Sequence, residues 1–139
     1  DLLIFLQHLR IISDLILLGS PHTIKIKGDK SLSRRDFQRI INPLKKFGAK
    51  FVSNNKKNLP LKILGSDYLK PINYLEERGS AQCKSSVILA ALNTPGKTTI
   101  VAKKSRNHTE LLLKYLKLPI KVVSNKKHDL IEVTGQKQF

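Results

Sequence analysis

Residues 51–65, FVSNNKKNLPLKILG, return with small changes as residues 122–135, VVSNKKHDLIEVTG. Each copy sets apolar and polar residues on either side of a turn made of Asn and Lys. What lies upstream repeats as well: residues 15–29 read LILLGSPHTIKIKGD and residues 89–105 read LAALNTPGKTTIVAKKS. In both, an apolar run is broken at Pro or Gly, continues as a strand-like segment and ends in a polar junction ahead of a helical pattern. Self-similarity on this scale marks one supersecondary unit used more than once. A chain of 139 residues is long enough to bury a core around two such copies.

Periodicity assigns the elements. Thr23, Ile24, Lys25, Ile26 and Lys27 alternate as a half-buried strand. Phe37, Ile40, Ile41, Leu44 and Phe47 recur on one face of a helix, which Gly48 ends. Pro43 has no N–H to give the carbonyl of Arg39, so a kink or a split is expected there. Phe51–Val52 and Leu59–Leu64 read as a hairpin. The second copy adds a strand at 72–75, a helix at 81–92, a strand at 98–102, a helix at 107–117 and a hairpin at 120–134. The sequence VILAAL (87–92) is apolar on every face, which predicts a helix buried nearly all round. The unit is thus β-α-β-α-β-β over about 68–135, and about 10–65 is the same unit without its opening strand.

Twenty-six Lys and Arg against ten Asp and Glu give a net charge of +16. Such a surface attracts anions, whether nucleic acid, acidic lipid or small phosphorylated molecules. Much of the charge falls in NNKKN (54–58) and NKKHD (125–129), which also read simply as solvated hairpin tips. A single-strand nucleic-acid module needs aromatic platforms, and aromatics make up only 6% of the chain, with no Trp. One cysteine, Cys83, leaves no intramolecular disulfide or cysteine metal cluster and reads as core. His8, His22, His108 and His128 lack metal-ligand spacing. No signal peptide is read, and the apolar start is interrupted by Gln7, His8, Arg10 and Asp14, so neither export nor a membrane span is expected. The chain has no Met, not even at its start, and is read as a piece of something longer.

Three strand-to-helix junctions carry Ser33-Arg34-Arg35, Ser80-Ala81-Gln82 and Ser105-Arg106-Asn107. A helix start offers unpaired N–H groups and a partial positive charge. A serine hydroxyl and an arginine fork added there suit a phosphate or carboxylate. Each serine alone also reads as an ordinary helix N-cap. Recurrence of the pattern, twice with arginine, is what points to anion binding.

GDKSLSRRDFQRIINPLKKFGAKF (28–51), PLKILG (60–65), GSAQCKSSVILAAL (79–92) and SRNHTELLLKYL (105–116) stand in the order and spacing of the 5-enolpyruvylshikimate-3-phosphate synthase family. The resemblance covers roughly residues 10–139. SAQ with a following KS resembles the family's glyphosate-tolerant type. The sister enolpyruvyl transferase of cell-wall synthesis shares the fold, but SAQCKS and SRNHTE favour the synthase.

The resemblance implies an α/β fold of repeated βαβαββ units, one lobe of an inside-out barrel with helices packed inside sheets. It implies transfer of the enolpyruvyl group of phosphoenolpyruvate to the 5-hydroxyl of shikimate 3-phosphate in the cytoplasm, on the way to chorismate and the aromatic amino acids, without cofactor or metal. GDKSLSRRDF is similar both to an N-terminal shikimate-phosphate motif and to a mid-chain motif whose arginine holds phosphoenolpyruvate. INPLKKFGAKF, PLKILG and the distance to SAQ match the mid-chain one. Arg35 is then the phosphoenolpyruvate clamp, and Lys30 a turn residue. Ser80, Ala81 and Gln82 become the shikimate 3-phosphate loop, with Ser105 and Arg106 completing the phosphate grip. Lys84 is either an electrostatic aid or a surface residue.

Three departures matter. Asp36 and Phe37 replace the family's Pro and Met, and Asp36 either competes with an anion at Arg35 or simply starts a helix. DLLIFLQHLR (1–10) has no glycine where a phosphoenolpyruvate loop is expected, so residues 1–9 are expected to be helical or unsettled instead. The second lobe, source of the family's acid–base groups, has no counterpart here. Catalytic residues are therefore not assigned, and the isolated chain is expected to bind without turnover, since the reaction needs proton transfer and two-lobe closure.

Overall fold

Local sequence dictates most of the secondary structure in the computed structural model, which describes residues 23–53, 58–66 and 68–135. The expectation for residues 1–9 lies outside the described residues. The chain divides into two compact units, one ending at Leu69 and one beginning at Lys70.

In the first unit the Thr/Ile/Lys alternation forms β1 (Thr23–Ile26). The polar junction then folds into a one-turn helix that periodicity did not announce, α1 (Lys30–Ser33), because the Asp29 side chain accepts the Leu32 N–H at 2.7 Å. Lys30 is therefore its first residue, not a turn residue. Helix α2 (Gln38–Phe47) buries Ile40, Ile41, Pro43, Leu44 and Phe47, and Gly48 closes it at φ 111°. Pro43 does not split α2: its ring lies among the buried apolar side chains, and that packing outweighs the missing hydrogen bond. Strands β2 (Lys50–Ser53) and β3 (Leu61–Leu64) complete an antiparallel sheet of order β1-β3-β2, with Ile63 opposite both Ile24 and Phe51.

The second unit runs β4 (Asn73–Glu76), α3 (Ala81–Leu92), β5 (Gly96–Lys103), α4 (His108–Tyr115), β6 (Ile120–Ser124) and β7 (His128–Gly135). This is the βαβαββ order read from the sequence. Its sheet is β4-β5-β7-β6, and β5-β7-β6 repeats the antiparallel order of β1-β3-β2. Helix α3 lies against β5 and β7 and buries residues on every side, among them Val87, Ile88 and Ala91. Gly135 ends β7 where α3 hands over to the next turn: a Cβ there would stand 1.8 Å from the Thr94 carbonyl oxygen.

Helix α4 differs from the buried helix expected. It meets β6 but buries only Glu110 and Leu113, leaving Leu111, Leu112 and Tyr115 exposed.

One topological feature positions the site. Strands β4 and β5 are the parallel pair, with Glu76 opposite Ala102. Their C-terminal ends therefore meet at one edge of the sheet, and the loops that follow, into α3 and into α4, emerge side by side.

Candidate functional site

The loop after β4 is organised by a carboxylate. Glu76 is buried and accepts the N–H groups of Arg78 at 3.1 Å, Gly79 at 2.8 Å and Ser80 at 3.1 Å. Nothing in the sequence pattern marked Glu76 for this role. Burial, with the nearby Cys83 and Glu76 adding to it, pushes the Tyr74 phenol up to about 12.

Ser80 is the N-cap of α3, its Oγ accepting the Cys83 N–H at 3.3 Å. The N–H groups of Ala81 and Gln82, first and second in the helix, have no intrahelical acceptor by construction. Gln82 is exposed at the rim and Cys83 is core, as expected.

The loop after β5 behaves differently from the cap expected there. Ser105 lies two residues before the actual N-cap, Asn107, whose side chain makes no capping bond. The Ser105 hydroxyl is buried and has no hydrogen-bond partner among the described residues. Arg106 is exposed, while its carbonyl faces inward and accepts from Lys84 Nζ at 2.9 Å.

Lys84 is thus not a surface residue: its side chain is fully buried and its Nζ lies 2.5 Å from Glu110 Oε1. Next to it, Ser85 Oγ and Thr109 Oγ1 are 2.7 Å apart. SAQCKS and SRNHTE, separate in the sequence, are therefore stitched together by Lys84 to Glu110 and Ser85 to Thr109. The structure brings Ser80, Ala81, Gln82, Ser105 and Arg106 to one edge of one sheet.

Behind the second loop a cleft of about 300 Å³ is lined by Ser105, Glu110, Lys114, Ser124 and Asp129 among others. Asp129 accepts from Lys104 Nζ at 2.5 Å and from the Ser124 hydroxyl. Burial alone would raise its pKa, but those two hydrogen bonds and the charges of Lys104 and Lys84 hold the carboxyl below its usual range.

Arg35 belongs to the first unit and follows α1. Its N–H donates to the Leu32 carbonyl at 3.0 Å, its own carbonyl accepts from Asn58 Nδ2 at 3.1 Å, and it is exposed. Ser33 is no N-cap: it ends α1, and its hydroxyl donates to the Gly28 carbonyl at 3.3 Å. Asp36 stands one residue before Phe37, the N-cap of the next helix, and its Oδ1 accepts the Gln38 N–H at 2.8 Å. Of the three serine junctions, then, only Ser80 caps a helix.

This arrangement of α/β units has the fold of solved enolpyruvyl transferases. A solved enolpyruvyl transferase, NikO from Streptomyces tendae, matches 86% of this chain over 28% of its own at a TM-score of 0.55 and 11% identity, a likeness of fold alone. The family model for EPSP synthase (3-phosphoshikimate 1-carboxyvinyltransferase) matches residues 8–138, and the chain belongs to that family. The 3-phosphoshikimate 1-carboxyvinyltransferase of Paramagnetospirillum magneticum is 42% identical over 103 residues, 73% of this chain and 23% of the relative. That of Rhodopseudomonas palustris strain TIE-1 is 42% identical over 124 residues, 87% of this chain and 28% of the relative. The EPSP synthase of Acinetobacter baumannii superposes at a TM-score of 0.73 with 31% identity, over 89% of this chain and 28% of that one. The chain spans about a quarter of the length of these relatives. Among the described residues no helix is long and apolar enough to cross a membrane.

Proposed function

We propose that this chain supplies substrate-binding residues for the transfer of the enolpyruvyl group from phosphoenolpyruvate to the 5-hydroxyl of shikimate 3-phosphate, releasing phosphate. The observation that carries the reading is the joined pair of loops at residues 78–82 and 104–107, where helix-start N–H groups, Gln82 and Arg106 share one edge. Ser80 Oγ and the Ala81 N–H contact the phosphate, Gln82 lies along the ring, and Ser105 and Arg106 close the grip. Arg35 receives phosphoenolpyruvate. These donors are charge-assisted or dipole-aligned, which suits a doubly charged phosphate. The proton-transfer groups come from a second lobe that closes over the substrates in the cytoplasm. The pattern SAQCKS supports a reading as the glyphosate-tolerant type.

Titration with shikimate 3-phosphate, followed by amide chemical shifts, tests this. Arg106→Ala weakens binding about tenfold or more, the loss of one charge-assisted hydrogen bond. Lys126→Ala, at the turn between β6 and β7, changes little beyond a general electrostatic effect. Equal losses from both would mean that only the net charge attracts the ligand. Release of phosphate from phosphoenolpyruvate by the isolated chain would overturn the assignment of catalysis to the second lobe.

A further inference from the structure

We propose that Lys84 is a positioning residue, whose buried ammonium clasps the two substrate loops of the second unit into one site. The inference rests on the functional reading above but concerns side chains that touch no substrate in it. Lysine is almost never fully buried unless paired, and Lys84 is 0% exposed against a Glu110 that is 3% exposed. From α3 its Nζ reaches two targets on the other loop and helix: Glu110 Oε1 at 2.5 Å and the Arg106 carbonyl at 2.9 Å. The second target is the informative one. It fixes the main chain of the residue proposed to grip phosphate while leaving its guanidinium exposed.

An independent sign comes from Ser105. Its hydroxyl is buried without a partner among the described residues; neither Glu110 oxygen accepts a hydrogen bond there, and Lys84 meets Oε1 as an ion pair. In the functional reading above the phosphate is the partner of the Ser105 hydroxyl, so the loop has to be held in place to present it. Residues 104–107 are held from outside on two sides: Lys104 is tied to the β6–β7 hairpin, its N–H donating to the Lys127 carbonyl at 3.2 Å and its Nζ to Asp129, whereas the ties to α3 come from Lys84 and, through Thr109, from Ser85. Stability does not account for the pair, because a buried ion pair replaced by apolar side chains of similar volume is often as stable or more so. What the pair supplies is a fixed separation between the start of α3 and the loop before α4.

The test separates stability from position. Lys84→Met alone strands a buried carboxylate and destabilises the unit. Lys84→Met/Glu110→Leu removes both charges and is expected to keep the wild-type unfolding midpoint. In that folded double variant, amide hydrogens of residues 105–107 exchange at least about tenfold faster and shikimate 3-phosphate binds at least about tenfold more weakly, the fold-changes expected for losing a charged tether. Wild-type exchange and wild-type affinity in the double variant would overturn the proposal, because restoring stability would then have restored function. Should the wild-type chain not bind shikimate 3-phosphate at all, the functional reading fails and the exchange measurement still decides the clasp. If the double variant does not fold, Lys84→Met/Glu110→Gln takes its place, since it too removes the donor to the Arg106 carbonyl without stranding a buried charge: faster exchange at 105–107 supports the clasp, and unchanged exchange overturns it.

Discussion

Glu76 Oε2 accepts the backbone N–H of Ser80 at 3.1 Å, so a strand-end carboxylate holds the residue that caps the next helix. The same side chain takes the N–H groups of Arg78 and Gly79. An internal anion thus occupies the donors at 78–80, and a ligand at this loop meets the donors that follow, at Ala81 and Gln82. Glu76→Ala leaves three N–H groups without their acceptor and is expected to cost about 1–3 kcal/mol. Glu76→Gln, which retains one carbonyl oxygen, costs less. Urea unfolding of both variants checks the order; equal losses would mean that the charge, and not the number of acceptors, matters.

Periodicity made the elements legible and distance hid the site. The βαβαββ order of the second unit and the burial of α3 follow from local patterns, because alternation and an all-apolar helix each admit one solution. The burial of Lys84 could not be read locally, since its partner Glu110 lies on another helix and only the parallel β4–β5 pairing brings the two together. Glu76 escaped for a related reason: a carboxylate at a strand end looks solvated until the loop curls back over it. The place of Ser33 and Ser105 before a helical pattern offers a cap as the alternative to an anion contact, but Phe37 and Asn107 stand at those N-cap positions. The two motifs that carried the family resemblance are the ones that the Lys84 to Glu110 and Ser85 to Thr109 contacts join.

Asp129 makes the second unit sensitive to acid. Its folded pKa is depressed, so its ionised form contributes stability that is fully present above the unfolded value of about 3.9 and is lost as pH falls through the folded value. Wild-type chain and Asp129→Asn are expected to differ in unfolding free energy by a constant amount from pH 7 to pH 5, and by progressively less below about pH 4. Denaturant melts across that range measure the difference. A gap that stays constant down to pH 2 would show that the bonds from Lys104 and Ser124 do not depend on the charge.

Gly135 tests how tightly β7 closes on the end of α3. A methyl group there meets the carbonyl oxygens of Thr94 at 1.8 Å and Ala91 at 2.1 Å, and backbone atoms cannot swing aside as a side-chain tip can. Gly135→Ala is expected to cost about 3 kcal/mol or more, at or beyond the upper end of ordinary overpacking. A loss under about 1 kcal/mol in urea unfolding would mean that the strand end shifts freely.

Helix α4 offers the sharpest contrast between neighbouring residues. Leu113 is 4% exposed, whereas Leu111, Leu112 and Leu116 are 54%, 55% and 53% exposed. An apolar run of this kind would ordinarily be read as core, so the four leucines separate a helix that is buried all round from one that is buried along a single line. Leu113→Ala removes packed atoms beside β6 and is expected to cost about 2–5 kcal/mol. Leu112→Lys places a charge in water and is expected to stay within about 0.5 kcal/mol of wild type. Its effect belongs instead to solubility, because it breaks an exposed apolar patch. Thermal melts of the two single variants read the first pair of expectations and light scattering reads the last. A large loss of stability from Leu112→Lys would mean that α4 is buried on the face that holds Leu112, and that the helix packs against the rest of its unit more closely than its exposed leucines indicate.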